Sequence, residues 1–291
     1  MIVAFFEEGD GSRLYPLTLM KPVYMLRCGA LRIYEKAVRE LRGRWLFLTR
    51  SELRDVLSEK LSKRVGEVYV NEFKLLSSGD DLLIVNGGWL FDRSLLKLGE
   101  EVVAVKDGEV VYAYVKGSTA RRIAERSSGF NEFLEGLRSE LSPMRLEEAR
   151  LVRNLWDLIE YNADEIKRDA ERIKRGGSWR SGSDLPQAQI VGDPDKVLVS
   201  RDVEIYPQVV IDSREGPVII EEGARILPFS YLAGPCYVGR GSWIVGGRVS
   251  DSSIGPVCRV GGEVEGSIIE GFSNKYHAGF LGHSYVGEWV N

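Results

Sequence analysis

Residues 197–244 have the sequence VLVSRDVEIYPQVVIDSREGPVIIEEGARILPFSYLAGPCYVGRGSWI, in which aliphatic side chains recur every six residues. They lie at Val199, Ile205, Ile211, Ile220, Ile226, Leu232, Val238 and Ile244, with one nine-residue step that fits a corner loop of three extra residues. A small or short residue lies two positions before each of them, at Val197, Val203, Val209, Val218, Ala224, Ser230, Cys236 and Ser242. Three faces of about six residues complete one coil of a triangular solenoid, so equivalent side chains stack along its axis. The period predicts a solenoid of hexapeptide repeats over residues 186–291, with a β-sandwich of short strands as the alternative.

The first part of the chain alternates short apolar runs with helical patterns. Buried strands are predicted at Ile2–Phe6, at 45–49 and at 82–85, and a helical pattern follows the first glycine-rich loop. Residues 102–115, VVAVKDGEVVYAYV, predict a hairpin, because an Asp-Gly pair supplies turn chemistry between two alternating runs. The alternation indicates a Rossmann-like α/β domain with a mixed, mainly parallel sheet over residues 1–145. A helix and a glycine- and serine-rich stretch then form a connector over 146–185.

Length and composition exclude several classes of protein. The 291 residues, 44% of them hydrophobic, suffice for two domains with separate cores. The 39 basic and 43 acidic residues are spread along the chain, so nucleic acid is not expected as a partner. Cys28, Cys236 and Cys258 lie far apart, which argues against disulfides and a zinc site. No apolar run approaches the roughly 18 residues of a membrane span and no basic leader is present, so a cytoplasmic protein is expected. The scarcity of glutamine weakly favours a thermophilic source.

The string GDGSRLYPLT, residues 9–18, directly follows the first predicted strand. Its glycines allow the backbone to approach a phosphate, whose oxygens the exposed N–H groups of the turn can bind. Arg13 would add a charge-assisted contact. The pattern therefore favours a phosphate-binding loop, with an ordinary strand-to-helix turn as the alternative.

This string resembles the signature of sugar-phosphate nucleotidyltransferases, a glycine-rich GxGTRL followed by PLT and then by a lysine near a proline. The matching residues are Gly9, Gly11, Ser12, Arg13, Leu14, Pro16, Leu17, Thr18, Lys21 and Pro22. The resemblance implies that a nucleoside triphosphate binds at Gly9, Gly11, Ser12, Arg13, Asn86 and Gly87. It also implies that Arg13 and Lys21 stabilise the transition state as a sugar 1-phosphate attacks the α-phosphorus. Reactions of this type depend mostly on positioning and on neutralisation of developing charge.

The chain departs from this signature in three places. Lys21 is about one residue closer to the arginine than usual, and a Ser replaces the usual Thr. Family members carry a Gly-Asp pair after the central strand, where the Asp binds Mg²⁺, whereas this chain has Asn86, Gly87 and Gly88. Either Mg²⁺ is held by another carboxylate, such as Asp10 or Asp92, or the domain has weak or altered activity.

The C-terminal string SNKYHAGFLGHSYVGEWVN resembles the acetyltransferase segment of the bifunctional N-acetylglucosamine-1-phosphate uridyltransferase and glucosamine-1-phosphate N-acetyltransferase family. In that family a His lies four residues before a Leu-Gly pair, which matches His277. The resemblance implies that His277 is the general base for attack of an amine on acetyl-coenzyme A, a role that suits the pKa of imidazole. Asn291 falls at an active-site Asn, and Lys275 would replace a phosphate-binding Lys. A surface or corner position is the alternative for both histidines.

The same resemblance implies a left-handed parallel β-helix, UDP-N-acetylglucosamine as the product, and a homotrimer formed through the β-helix. The last residues, VGEWVN, have the pattern of a further coil, so a β-helix truncated at its C-terminus is expected.

Three hypotheses remain open at this point. In the first, the protein is a nucleotidyltransferase coupled to acetylation of glucosamine 1-phosphate. In the second, the N-terminal domain is a degenerate nucleotide-binding or regulatory module and only the β-helix is catalytic. In the third, the protein is a structural trimerisation module in which neither site works.

Overall fold

The structure is a computed structural model that describes residues 1–9, 11–63, 65 and 67–291. The chain divides into two compact units. The first comprises Met1–Leu26 and Ile33–Arg153, and the second comprises Arg27–Arg32 and Asn154–Asn291. Among the described residues, no helix combines the length and the apolar character that a membrane crossing requires.

The first unit is built on a seven-stranded mixed sheet with the strand order β3-β2-β1-β4-β6-β5-β7. Its strands are β1 Ile2–Phe6, β2 Arg44–Phe47, β3 Val68–Val70, β4 Leu82–Asn86, β5 Val102–Lys106, β6 Glu109–Val115 and β7 Pro143–Arg145, and its helices are α1 Ile33–Glu40, α2 Arg54–Ser62, α3 Gly117–Ala124 and α4 Phe130–Glu140. Only β6 runs antiparallel to its neighbours. The mixed, mainly parallel α/β sheet is therefore confirmed.

The strands are apolar on both faces because helices cover both sides of the sheet. Val3 and Phe5 of β1 pack with residues of α1 and α2, whereas Ala4 and Phe6 pack with residues of α3 and α4. This explains why the run at Ile2–Phe6 is continuously hydrophobic. The predicted hairpin is also confirmed, since Asp107 and Gly108 both have positive φ between β5 and β6.

The second unit begins with a long helix and continues as short stacked strands. Helix α5, Leu155–Arg175, starts at a capping box in which Asn154 and Asp157 satisfy each other's backbone N–H groups. The strands are β8 Ala188–Val191, β9 Val197–Val199, β10 Glu204–Ile205, β11 Val209–Asp212, β12 Val218–Ile220, β13 Arg225–Ile226, β14 Ser230–Ala233, β15 Cys236–Val238, β16 Trp243–Ser250, β17 Ser253–Ile254, β18 Arg259–Glu265, β19 Ile268–Gly271, β20 Asn274–Lys275, β21 Phe280–Gly282 and β22 Tyr285–Glu288.

Every pairing among these strands is parallel, and their registers align the six-residue positions in three columns. The first column is Val199, Ile220, Val238, Ile254, Ile269 and Val286. The second is Ile205, Ile226, Ile244, Val260 and Lys275, and the third is Ile190, Ile211, Leu232, Val249, Val264 and Leu281. All eight aliphatic positions of the predicted period are buried. These parallel ladders are consistent with a β-helix.

Residues 27–32 belong to the second unit although they lie early in the sequence. The backbone N–H of Gly29 donates to Asn162 Oδ1 at 2.9 Å, and that of Leu31 donates to Asp169 Oδ2 at 3.0 Å, so both bonds end on α5. Gly29 has φ +84°, and a Cβ there would lie 2.5 Å from Asp169 Oδ2. Glycine is therefore required at this position both by its backbone conformation and by the close approach of α5.

Candidate active site

A cavity of about 300 Å³ lies at the carboxyl end of β1 and β4 in the first unit. Five residues of the predicted phosphate-binding loop line it: Gly9, Gly11, Ser12, Arg13 and Leu14. Asn86, predicted from another part of the sequence, lines it as well. The carboxyl edge of parallel strands is the usual place for ligands in open α/β sheets. The fold thus brings five of the predicted nucleotide-binding residues to one cavity.

The loop has a backbone conformation that suits glycine. Gly9 and Gly11 have φ values of +79° and +74°, in the left-handed region. Ser12–Leu14 form a single 3-10 turn, and the Thr18 hydroxyl donates to the Gly11 carbonyl at 2.7 Å, which ties the end of the PLT segment to the glycine loop. The shape of the loop therefore depends on its glycines and on Thr18.

Arg13 is one end of a chain of four alternating charges. Its Nη1 lies 3.0 Å from Glu109 Oε1, and the other oxygen of Glu109 lies 3.1 Å from Arg153 Nε. Arg153 Nη1 in turn lies 2.7 Å from Asp107 Oδ2. The Arg13 side chain is 71% exposed, while those of Glu109 and Arg153 are mostly buried. Glu109 and Arg153 thus form a fixed part of the wall, and Arg13 lies on the accessible side.

Two further carboxylates in the cavity were, like Glu109, not predicted as site residues. Glu7 and Glu8 follow β1 directly and both line the cavity. Glu8 Oε1 lies 2.7 Å from Arg138 Nη2, and burial raises the pKa of Glu8 despite this partner. Burial also raises the pKa of Glu7, whose Oε1 accepts a hydrogen bond from the backbone N–H of Val23 at 2.8 Å. The sequence feature that could have identified Glu7 and Glu8 is their position as two consecutive acidic residues at the end of a fully buried strand.

The Asn-Gly-Gly sequence after β4 is fixed by packing. The Asn86 side chain donates from Nδ2 to the Val110 carbonyl at 2.8 Å and accepts at Oδ1 from the Gly88 N–H at 2.9 Å. A Cβ at Gly87 would lie 2.6 Å from the Tyr24 ring and 2.8 Å from the Phe6 carbonyl. This backbone therefore has no room for an aspartate at Gly87, and Gly87 itself is not part of the cavity lining.

The structure describes one of the two predicted metal ligands, Asp92. The Asp92 side chain caps a 3-10 turn, where Oδ1 accepts from the N–H of Ser94 at 3.0 Å and from its hydroxyl at 2.6 Å. Asp92 is not among the residues that line the cavity. Asp10 lies outside the described residues. Within the part of the chain that the structure describes, no group of three or more His, Cys, Asp or Glu side chains is arranged to hold a metal ion.

A second cavity, of about 480 Å³, adjoins the first and shares Glu7 and Gly9 with it. Its other walls include Arg50 after β2, Phe73 after β3 and Phe130 at the start of α4. Phe73 is 46% exposed. The first cavity therefore has a charged wall that carries Arg13, and the adjoining second cavity has accessible aromatic rings.

The C-terminal candidate site is arranged differently. Lys275 occupies the second aliphatic column, and its Nζ donates to the carbonyls of Gly261, His277 and Gly279 at 2.7, 2.9 and 2.8 Å. An ammonium group has three N–H donors, so all of them are used, two within this turn and one on β18. Burial lowers the pKa of Lys275.

The other two predicted acetyl-transfer residues are on the surface. His277 is exposed, with its ring 5.8 Å from that of Tyr276. Asn291 Oδ1 accepts from Asn274 Nδ2 at 2.7 Å, which places it beside the residue that precedes Lys275. The structure therefore brings Lys275 and His277 into one turn and leaves both His277 and Asn291 accessible.

Comparisons with known proteins match part of the chain. The profile of the family described as sugar nucleotidyl transferase matches residues 3–178. The bifunctional protein GlmU of Rippkaea orientalis is 30% identical over 133 residues, which cover 37% of this chain and 28% of that protein. The chain thus matches little more than a quarter of this relative. Among solved structures, one of a protein from Bacillus anthracis assigned as a glucose-1-phosphate thymidylyltransferase, in complex with sucrose, has a TM-score of 0.39 and 16% identity; the likeness covers 57% of this chain and 94% of that one.

Proposed function

The chain belongs to the sugar nucleotidyl transferase family, and on this basis we propose that its first unit joins a nucleoside triphosphate to a sugar 1-phosphate. An oxygen of the sugar phosphate attacks the α-phosphorus, the bond from that phosphorus to the bridging oxygen of the β-phosphate breaks, and pyrophosphate leaves. The observation that carries the proposal is the cavity in which Gly9, Gly11, Ser12 and Arg13 are brought together with Asn86.

In this proposal the loop and Arg13 bind the phosphates. The left-handed glycines allow a phosphate to approach the backbone closely. Arg13 has five N–H donors and in the structure directs Nη1 to Glu109. A triphosphate would attract it more strongly than a single carboxylate does, and Glu109 would keep Arg153 as its partner. We assign neutralisation of the leaving pyrophosphate to Arg13 and Lys21, as the motif predicts.

Nucleotidyltransferases of this kind typically use Mg²⁺, and the donor set of the cavity fits such an ion. Mg²⁺ is usually held by one or two carboxylates together with substrate phosphates and water. Glu8 and Glu109 line the same cavity as Arg13, whereas Asp92 does not. We therefore propose Glu8 and Glu109 as its ligands in place of Asp92. When bound, the ion would neutralise charge on the transferred phosphate.

For the product we propose UDP-N-acetylglucosamine. The support is the C-terminal sequence resemblance together with the 30% identity to a bifunctional protein of the GlmU type. The two cavities adjoin at Glu7 and Gly9, which line both. We assign the nucleotide and the sugar to these neighbouring cavities.

The test is pyrophosphate release by the full chain. Uridine and thymidine triphosphates are each supplied with glucose 1-phosphate, glucosamine 1-phosphate or N-acetylglucosamine 1-phosphate, in Mg²⁺ and in EDTA. Release that depends on Mg²⁺, is highest for the uridine and N-acetylglucosamine pair and falls about 10²- to 10³-fold in Arg13→Ala is the expected result. Arg54→Ala is the matched control, because Arg54 is half-exposed and pairs with Glu72 outside both cavities. Absence of release with every pair from a folded protein would refute the proposal.

For the second unit we propose a left-handed β-helix that forms a trimer and acetylates glucosamine 1-phosphate. Its support is the three aliphatic columns and the accessible position of His277 on a turn between stacked strands. Thiol release from acetyl-coenzyme A tests the activity, with His283→Ala as the control for His277→Ala because the chain has only these two histidines. Equal rates in both variants would remove His277 from the proposal. A mass near 32.6 kDa in solution would remove the trimer.

A further inference from the structure

We propose that Glu7 and Arg50 are positioning residues that hold the phosphate-binding segment, residues 11–23, in its working conformation. The inference rests on the proposed nucleotidyl transfer, because the segment carries both Arg13 and Lys21. Neither Glu7 nor Arg50 is part of the sequence signature. Both are nonetheless at the junction of the two cavities, where Glu7 lines both and Arg50 lines the second.

Arg50 connects the end of β2 to the middle of the segment. Its Nη2 donates to the carbonyl of Thr18 at 2.5 Å and to that of Lys21 at 3.3 Å. The Arg50 side chain is only 15% exposed, so these bonds are formed in a largely dry environment. One guanidinium group thus fixes the backbone on both sides of the exposed turn at Leu19 and Met20.

Glu7 holds the end of the segment and carries the charge that faces Arg50. Oε1 accepts from the N–H of Val23 at 2.8 Å, and Oε2 lies 3.7 Å from Arg50 Nε. The Glu7 side chain is 4% exposed. At the start of the segment, a Cβ on Gly11 would lie 3.4 Å from Glu7 Oε1 and 3.7 Å from Arg50 Nη2. The pair therefore touches the segment at its beginning, its middle and its end.

The segment has little internal structure of its own. It contains the 3-10 turn Ser12–Leu14, begins a second one at Val23, and forms no ladder with the sheet. Leu14, Thr18 and Val23 anchor it by burial, whereas Tyr15, Leu19 and Met20 are exposed apolar side chains, so core packing holds it at only a few points. A segment with few buried contacts opens easily unless it is tied elsewhere. The contacts of Glu7 and Arg50 supply these ties.

The charge of the pair suits a site for phosphates better than a purely structural role. A buried ion pair is a weak source of stability, because desolvation offsets most of the attraction. A lone carboxylate at Glu7 would repel a triphosphate bound at Gly9 and Gly11, and Arg50 neutralises it. Holding Lys21 and Arg13 in place before the substrate arrives lowers the entropic cost of reaching the transition state.

The test combines amide hydrogen exchange of the full chain without substrate and steady-state kinetics. The variants are Arg50→Ala, Arg50→Lys and Glu7→Gln, with Arg54→Ala as the control on the neighbouring helix. Exchange in residues 11–23 of Arg50→Ala should become at least about tenfold faster, with β4 unchanged. The kcat should fall about 10²-fold while KM for the sugar phosphate stays within about twofold. Arg50→Lys should restore part of the slow exchange in residues 11–23 and part of kcat. Glu7→Gln should have an intermediate effect on both quantities, because its amide oxygen can still accept from the N–H of Val23.

The exchange experiment decides the inference independently of the activity. Unchanged exchange in residues 11–23 of both Arg50→Ala and Glu7→Gln would overturn it, as would an equal rise in β4, which would show general destabilisation. If Arg50→Ala does not fold, Arg50→Lys and Glu7→Gln provide the same comparison. If the wild type releases no pyrophosphate, the proposed transfer fails, but a selective change in segment exchange would still show that the pair orders this segment.

Discussion

The cavity in the first unit and the C-terminal turn of the second unit were both predicted as sites, and they differ in how their charges are used. Around the cavity, Arg13, Glu8 and Glu109 face a common space and retain exposure to it. In the turn, the three donors of Lys275 all bind backbone carbonyls, two of the turn itself and one of β18. Sequence motifs predicted site residues in both regions. Only the side-chain positions in the structure show which charged groups face a space for a ligand and which bind the backbone.

The sharpest way to separate the two regions is a pair of substitutions, Lys21→Ala and His277→Ala. We expect Lys21→Ala to lower kcat for pyrophosphate release by about 10²- to 10³-fold, because it removes a positive charge from the developing pyrophosphate. His277→Ala should leave this rate within about twofold of wild type. Pyrophosphate release by the full chain measures both. Loss of transfer in His277→Ala, or its retention in Lys21→Ala, would contradict the assignment of transfer to the first unit.

The second comparison asks whether the glycine at position 87, after β4, is required by packing. Gly87→Ala should lower the free energy of unfolding by about 1–3 kcal/mol, because the added Cβ would overlap the Tyr24 ring and the Phe6 carbonyl. Gly129→Ala is the control, since its backbone is extended and a Cβ there meets nothing within 4 Å. Urea denaturation followed by circular dichroism measures both. Equal stabilities of the two variants would show that the backbone after β4 can relax.

The smallest expected effects concern the pH dependence of stability, which should have opposite signs in the two units. Burial raises the pKa of Glu8, so its contribution to stability decreases as the pH rises above about 4. Hydrogen bonds from Arg214 and Tyr231 hold the pKa of Asp212 well below its usual range, so its contribution is present above about pH 4 and lost in acid.

At pH 7 we therefore expect Glu8→Gln to be more stable than wild type. Asp212→Asn should be less stable, by about 0.2–1 kcal/mol because the partner Arg214 is exposed. The Glu8→Gln difference should shrink below about pH 4, where Glu8 is protonated in the folded and unfolded chains. The Asp212→Asn difference should shrink as well, because Asp212 is protonated first in the unfolded chain, which stabilises that state. Denaturation midpoints at pH 7 and pH 3 provide the measurement. Shifts of the same sign in both variants would refute the contrast between the two units.

The sequence predicted those parts of the fold in which burial repeats regularly. The strand Ile2–Phe6 is found with the predicted bounds because both of its faces are covered. The six-residue period predicted which aliphatic side chains would be buried in the second unit. The period did not predict that Lys275 continues an aliphatic column, because carbonyl groups that satisfy its charge come from neighbouring coils and turns.

The candidate site could be predicted where the family motifs cover it, in the loop after β1 and at Asn86. Gly9, Gly11, Ser12 and Arg13 form one string and were found together. Glu109 and Arg153 are 44 positions apart, and their contact depends on where the hairpin lies relative to the end of the first unit. Glu7 could not be distinguished from a solvated residue at a strand end, since its burial depends on Arg50 and Val23.

The segment Arg27–Arg32 has a consequence for how the protein is made. Gly29 and Leu31 bind side chains of α5 that lie 133 and 138 residues further along the chain. At a translation rate of about 5–20 residues per second, these six residues are synthesised roughly 7–28 s before their partners. During that interval the nascent first unit can form its sheet only with a short loop left unpaired. The loop can therefore form these hydrogen bonds only after α5 has been synthesised.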